Sequence, residues 1–193
     1  MIAVSKLSKT KGAGYELKIA KFMGNWWGGN FSRVPASGGL QWGSDQRVAG
    51  DIVPPAGMNF PFVIECKKRE SWTFDHILLD IGQPKEWWAQ VVRDARRISK
   101  VPLLIFSRNR QKDFIMVPFD VTLLHILESL GNDYAVTSVT IKNIRDEVQR
   151  FDVLVSTLDT FSSIDIVDLQ KYADRVQWDT YAAEYTEEEN SDS

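Results

Sequence analysis

"DIVPPAGMNFPFVIECKKRE" (residues 51–70) reads as two short apolar strands about a proline-rich turn, with charges set into what should be core. Ile52 and Val53 are apolar, residues 54–57 (Pro-Pro-Ala-Gly) make the turn, and residues 60–64 are almost wholly apolar. Yet Asp51 opens the first strand, and Glu65-Cys66-Lys67 ends the second. Side chains alternate faces along a strand, so Glu65 and Lys67 share one face and Cys66 takes the other. A buried hairpin that pairs the two strands puts Asp51 beside Glu65. Two carboxylates held together repel each other and call for a cation. Lys67 could be that cation, although an exposed pair of this kind is worth about 0–1 kcal/mol and a buried one often fails to repay its desolvation. A divalent metal compensates more strongly. The Asp51 and Glu65 carboxylates, with the backbone carbonyl of Cys66, offer the hard oxygen donors that Mg²⁺ or Mn²⁺ takes.

A third acid belongs with these two. In "GYELKIAKFMGNWWGG" (14–29), Tyr15, Ile19, Phe22 and Met23 fall at helical spacing, and glycines end the pattern. Glu16 lies on the stripe with Ile19, Ala20 and Met23, so it faces inward. Its i+3 and i+4 neighbours are Ile19 and Ala20, neither of them basic.

The remaining elements follow from periodicity and breakers. "FSRVPAS" (31–37) is a short strand leading into a glycine-rich loop, and residues 70–84 form a loop with a short turn of helix. A helix runs from Pro84, favourable at a first turn, to about Lys100. Trp88, Val91, Val92, Ala95 and Ile98 make its apolar face, and Arg93, Arg96, Arg97 and Lys100 a basic stripe. "VPLLIFS" (101–107) is a buried strand and "DFIMVPF" (113–119) an edge strand. A helix at 121–130, strands at 134–142 and 151–157, and a helix at 165–176 complete the chain. The order is α/β, with a mixed sheet flanked by helices.

Charge divides unevenly over the 193 residues. Residues 1–110 carry a net +8 and residues 111–193 a net −11, the last ten residues alone holding five acids. A basic first half fits a polyanion such as nucleic acid. The acidic end, 184–193, reads as a disordered tail. No stretch approaches the roughly 18 apolar residues of a membrane span, and the first residues lack the pattern of a secretory signal. One cysteine excludes an internal disulfide and a four-cysteine zinc site. The setting expected is cytoplasmic or otherwise intracellular, a virus-encoded protein acting in its host cell being one form of it.

Glu16, Asp51 and Glu65-Cys66-Lys67, in that order on helix and strands, resemble the PD-(D/E)XK nuclease pattern on its αβββαβ, restriction-endonuclease-like core. More closely, "KGAGYELKIAKFM", "RVPASGG" and "GDIVPP…FVIECKK" resemble the archaeal-type (Hjc-like) Holliday-junction resolvases, over residues 9 to about 108. The resemblance implies a Mg²⁺-dependent endonuclease, with Mn²⁺ as substitute, in which Asp51 and Glu65 bind the metal and Glu16 completes its shell. Lys67 would orient or deprotonate water, or stabilise the transition state. Ser37 would hold the scissile phosphate or help position the metal, and Gln90 would support from the helix after the E-x-K motif. It also implies a homodimer acting on four-way junctions, because paired nicks related by two-fold symmetry suit a symmetric dimer. A restriction-like or repair nuclease cutting duplex or flap DNA, and a non-catalytic DNA-binding protein, are the alternatives.

The candidate DNA contacts are Lys9 and Lys11 (with Lys6, a basic arm), Arg33, Ser37, Lys68, Arg69, Arg93, Arg96 and Arg97. Trp26-Trp27 and Trp87-Trp88 could stack on bases, but packing suits them better. His76 reads as a loop cap and His125 as structural. The loop with Trp42, Asp45 and Arg47, and the residues beyond Phe114, depart from the resolvase pattern. The expected organisation is a nuclease core with the basic arm over 1–119, an α/β extension packed on it over 120–183, and the tail.

Overall fold

A computed structural model of the chain describes residues 2–34, 49–143 and 145–181, with only the helical backbone given for 2–11. The elements run α1 (Ile2–Trp27), β1 (Ser32–Arg33), β2 (Ile52–Val53), β3 (Phe62–Lys68), α2 (Phe74–Leu78), α3 (Gln83–Arg97), β4 (Val101–Ser107), β5 (Phe114–Pro118), α4 (Val121–Leu130), β6 (Tyr134–Lys142), β7 (Val148–Thr157), α5 (Leu158–Ser162) and α6 (Ile166–Arg175). Five strands form a mixed sheet in the order β3-β4-β5-β7-β6, flanked by helices, as a restriction-endonuclease-like fold requires. β3 and β4 are parallel and the other pairings antiparallel. β4 is buried along its whole length, which accounts for its unbroken apolar sequence.

Two apolar layers hold the sheet. On one face Tyr15, Ile19 and Met23 of α1 pack with Ile64 and Cys66, and with α4, α5 and α6 through Leu127, Phe161 and Tyr172. On the other, Trp88, Val91, Val92 and Ala95 of α3 pack on Val63, Leu104, Phe106 and Val153. Trp27 meets Phe60 edge-on at 4.9 Å, and Trp87 and Trp88 are buried, so both tryptophan pairs pack. Among the described residues no helix is long and apolar enough to cross a membrane.

The strands after residue 119 join the same sheet, and this changes the place of β5. It is not an edge strand: it lies between β4 and β7. Pro118 pointed to an edge because it has no N–H, but it closes the strand, where its carbonyl accepts a 2.7 Å hydrogen bond from Tyr172. β7 begins at Val148, three residues before the expected 151, and α5 is an additional element. α1 starts far ahead of residue 14; Gly12 and Gly14, each costing about 1 kcal/mol in a helix, had hidden that first part. α3 stops at Arg97, short of Lys100.

Residues 51–68 are not a hairpin. β2 pairs antiparallel with β1 (Arg33 opposite Ile52), and Gly50 bridges Ile64 of β3 in parallel. The turn closed by Met58 N–H on Pro55 O at 3.2 Å is followed by further chain that carries the next strand round. β3 thus runs alongside Gly50 and Asp51, in their direction. Asp51 N–H donates to Ile64 O at 2.8 Å, and Val34 N–H to Asp51 O at 2.9 Å.

Gly50 has φ +72°, and a Cβ there would collide with the Ile64 carbonyl oxygen. Gly57 has φ +79° with open space around it. Gly50→Ala should therefore lower the thermal midpoint by more than Gly57→Ala, adding a backbone clash to left-handed strain of about 1–2 kcal/mol common to both. Equal midpoints for the two variants would show that the Gly50–Ile64 approach is not needed.

Candidate active site

β3 sorts the charged residues by alternation. Phe62, Ile64 and Cys66 turn to the α1 face, while Val63 and Glu65 turn to the α3 face. Lys68, on the α1 side, lies 5.7 Å from the Tyr15 ring centre. Lys67 returns to the α3 side and donates to Glu65 Oε1. As the outermost strand of the sheet, β3 has a free side, and Asp51 occupies it: Asp51 Oδ2 accepts the Cys66 N–H at 2.8 Å. In a strand the N–H and C=O of one residue point the same way, so the Cys66 carbonyl also faces that open side. Asp51 and Glu65 do meet, through a parallel bridge and not across a turn.

Glu16 enters from α1, half-buried, with Arg33 Nη1 on its Oε2 at 3.3 Å. It therefore does have a basic partner, from β1 and not from its own helix, and Arg33 is committed to it. Burial raises the Glu16 carboxyl, and the Asp51 charge raises it further against Arg33 and Lys67.

Burial is the largest influence on the other two acids. Glu65 is 1% exposed, and its Oε2 is buried without a hydrogen-bond partner. Desolvation and then the Asp51 charge push it up to about 8, a rise that the adjacent Lys67 only partly opposes. Asp51 is raised by burial and drawn back by the Cys66 N–H and by Lys67. The Cys66 thiol is buried and raised well above its usual range, so Cys66 offers its backbone and not its sulfur.

Asp94 was not among the residues that spacing and charge singled out. It lies on α3 four residues beyond Gln90, on the same helix face, and its charge raises both Asp51 and Glu65. Gln90 is half-buried on that helix. The signal was the spacing Gln90-x-x-x-Asp94, masked by the basic residues around it.

Among the described residues no three His, Cys, Asp or Glu side chains converge tightly enough to hold a metal ion as they stand. The donor types nevertheless fit a hard divalent cation: two carboxylates, one with a buried and unpartnered oxygen, beside an edge-facing carbonyl. Glu16, held by Arg33, is more exposed than Glu65.

The other candidates are scattered. Ser37, with Trp42, Asp45 and Arg47, lies outside the described residues, as do the side chains of Lys6, Lys9 and Lys11. Arg93 and Arg69 are exposed, and Arg97 Nη2 is 3.9 Å from Asp94. Arg96 is a correction. Its side chain is 7% exposed, its guanidinium pairs with Asp179 through two 2.8 Å contacts and reaches Gln149 at 2.9 Å, so it does not belong to a phosphate-facing stripe. The partner comes from 83 residues away, where helical spacing gives no hint of it. His76 Nδ1 accepts the Thr73 N–H at 3.3 Å and caps α2. His125 is exposed and not on the buried face.

The raised Glu65 sets a pH dependence. A carboxyl raised in the folded state holds its proton more tightly there than in the unfolded chain. Its stabilising effect is full below its ordinary 4.5 and is lost as pH rises towards about 8. In EDTA the thermal midpoint should fall across that window, and Glu65→Gln should flatten the fall; a flat wild-type profile would refute it. Asp94→Asn should raise the midpoint in EDTA near neutral pH, because it removes a charge opposing two others. A lowered midpoint would mean that Asp94 is held by partners it stabilises.

The "Phage putative PDDEXK endonuclease" family matches residues 7–171. Over 107 residues the chain is 27% identical to Protein D14 of Escherichia phage T5. That alignment covers 53% of this chain and 66% of the phage protein, just under two thirds of its length. No solved structure matches. The family match takes in most of α1, the Asp51 strand, the Glu65-Cys66-Lys67 strand and the sheet beyond them, and the chain belongs to this phage PD-(D/E)XK endonuclease family.

Proposed function

We propose that the protein is a Mg²⁺-dependent DNA endonuclease, with Mn²⁺ able to substitute, whose active site is Asp51, Glu65 and Lys67, assisted by Glu16. The observation that carries this reading is the Asp51 carboxylate on the Cys66 N–H, between Glu65 and Lys67 of the same strand. PD-(D/E)XK nucleases use divalent metals. Asp51, Glu65 and the Cys66 carbonyl would hold the ion, and Glu16 would reach it directly or through water. When bound, the ion lowers the pKa of water and neutralises charge on the phosphate.

The chain's own groups do the rest. Water oxygen attacks phosphorus and gives up a proton, negative charge grows on the non-bridging oxygens, and the bond from phosphorus to the leaving sugar oxygen breaks as that oxygen takes a proton from solvent. Lys67, anchored on Glu65 and largely shielded from solvent, presents an ammonium to that charge or to the attacking water. Ser37 and Gln90 are assigned to phosphate positioning and support. Glu65 and Asp51, carrying both charges at a desolvated site, bring out the need for cations that the raised carboxyls express.

The finer reading is a homodimer that resolves four-way junctions. It is supported by the "KGAGYELKIAKFM", "RVPASGG" and Asp…Glu-x-Lys segments, and by the match of a two-fold dimer to paired nicks. The phage family and the phage relative support a virus-encoded enzyme acting in its host cell. Residues 120–183 are assigned to an extension that carries the nuclease core's sheet on through β7 and β6, and 184–193 to an acidic tail.

Asp51→Asn and Glu65→Gln should each abolish Mg²⁺-dependent cleavage while the DNA still binds, and Lys67→Ala should lose orders of magnitude in rate with metal affinity kept. Near-normal cleavage by either acid variant would sink the site. On a cruciform plasmid, linear product formed within one binding event marks junction resolution. Relaxed circles, with equal affinity for duplex, would select a duplex-cutting nuclease instead.

A further inference from the structure

β3 and β4 run parallel and end together, with Lys67 opposite Phe106 and Lys68 opposite Ser107. The chain is strongly basic at and just beyond both strand ends. Lys68 and Arg69 continue β3, and Arg108, Arg110 and Lys112 occupy the loop from β4 to β5. The described acids in these two segments are Glu70 and Asp113, and both are engaged. Glu70 Oε1 accepts the Asn109 N–H at 2.7 Å; Asp113 accepts Tyr15 at 2.9 Å and Lys18 at 2.5 Å. Lys112 lies 3.9 Å from Asp133, both exposed.

The loop is built, not loose. Arg69 N–H donates to Ser107 O at 3.1 Å, joining the two strand ends, and Trp72 Nε1 donates to the same oxygen at 3.3 Å. The Ser107 hydroxyl is buried within 3.0 Å of both the Arg108 and the Lys112 carbonyls. Two further features point to a ligand. Arg108 Nε is buried and has no hydrogen-bond partner, an unusual state for a guanidinium N–H. Arg110 holds φ +60°, a left-handed backbone conformation that favours glycine, yet it carries a long cationic side chain exposed to solvent.

We propose that Arg108 and Arg110, with Lys68, Arg69 and Lys112, form a phosphodiester-binding platform at the C-terminal ends of β3 and β4, gripping the DNA backbone beside the phosphate presented to Lys67. It rests on the nuclease reading and extends it to a loop outside the PD-(D/E)XK motif. Lys68 follows Lys67 on β3, and the loop carrying Arg108, Arg110 and Lys112 leaves the end of β4 beside it. The left-handed arginine at position 110 trades backbone ease for a charge facing the substrate.

The test uses the full chain and fluorescein-labelled duplex and four-way junction DNAs, with Kd measured across a salt series in Ca²⁺ or EDTA to prevent cutting. Arg110→Gly removes the charge and relieves the backbone, so its thermal midpoint should equal or exceed that of the wild type while DNA binding weakens. Arg108→Ala should also weaken binding. Each variant should reduce the slope of log K against log salt by about 0.9, the value of one lost phosphate contact on duplex. Lys142→Ala, on the strand at the opposite edge of the sheet, serves as control and should leave affinity and slope unchanged. If the wild type cleaves DNA but both arginine variants match its affinity and slope, the platform is overturned and the nuclease reading stands. A loss equal to that of the Lys142→Ala control would overturn it as well, as a general effect of charge. A wild type that binds no DNA would remove both readings together.

Discussion

The hydrogen bond from the Cys66 N–H to the Asp51 carboxylate joins two parts of the chain that share no regular pairing. It can form because β3 is the outer strand of the five-stranded sheet, leaving alternate backbone groups without a strand partner. The segment leading to Asp51 supplies those partners: Ile64 O takes the Asp51 N–H, and Cys66 N–H takes its side chain. Gly50 permits the approach, because any side chain there would strike the Ile64 carbonyl. An exposed edge strand is ordinarily a hazard of aggregation. Here the edge is closed over a short length by the segment that completes the site.

Electrostatic tension at this edge is the cost of bringing the acids together. Asp51, Glu65 and Glu16 all have raised carboxyls, chiefly by burial and secondly by one another or by Asp94. Lys67 and Arg33 relieve only part of it, and one oxygen of Glu65 stays buried without a donor. Apolar packing of α1 and α3 against the two faces of β3 holds the strained groups in place. Such an arrangement favours a site that binds a cation over one that is self-sufficient.

The rest of the basic half of the chain divides by structure. Arg96 turns inward to Asp179 and serves to fasten the C-terminal segment onto α3, with Phe151 5.6 Å from its guanidinium carbon. Arg33 is spent on Glu16. Arg69, Arg93, Arg110 and Lys112 are exposed, while Lys68 and Arg108 are half-buried. The acidic second half is therefore partly a set of internal partners for the basic first half, and not only a surface of opposite sign.

Much of this was legible in the sequence because strand alternation and helix periodicity are local. The pairing of Glu65 with Lys67 on one face, the apolar face of α3, the buried run of β4 and the α/β class all follow from spacings within a dozen residues. The convergence of Asp51 with Glu65 was also readable, since both lie near the same proline-rich segment. How they converge was not: a hairpin and a parallel bridge give the same neighbours, and only the course of the chain after Met58 distinguishes them. The interior place of β5, the Arg33–Glu16 and Arg96–Asp179 pairs, and the effect of the Asp94 charge on Asp51 and Glu65 were likewise beyond local pattern. Each depends on a contact between distant segments, whose geometry is set by how the sheet closes and not by the residues beside them. Residue spacing alone specified which side chains share a face. Which faces meet was set by tertiary packing, because laying two apolar layers onto one sheet selects a single strand order.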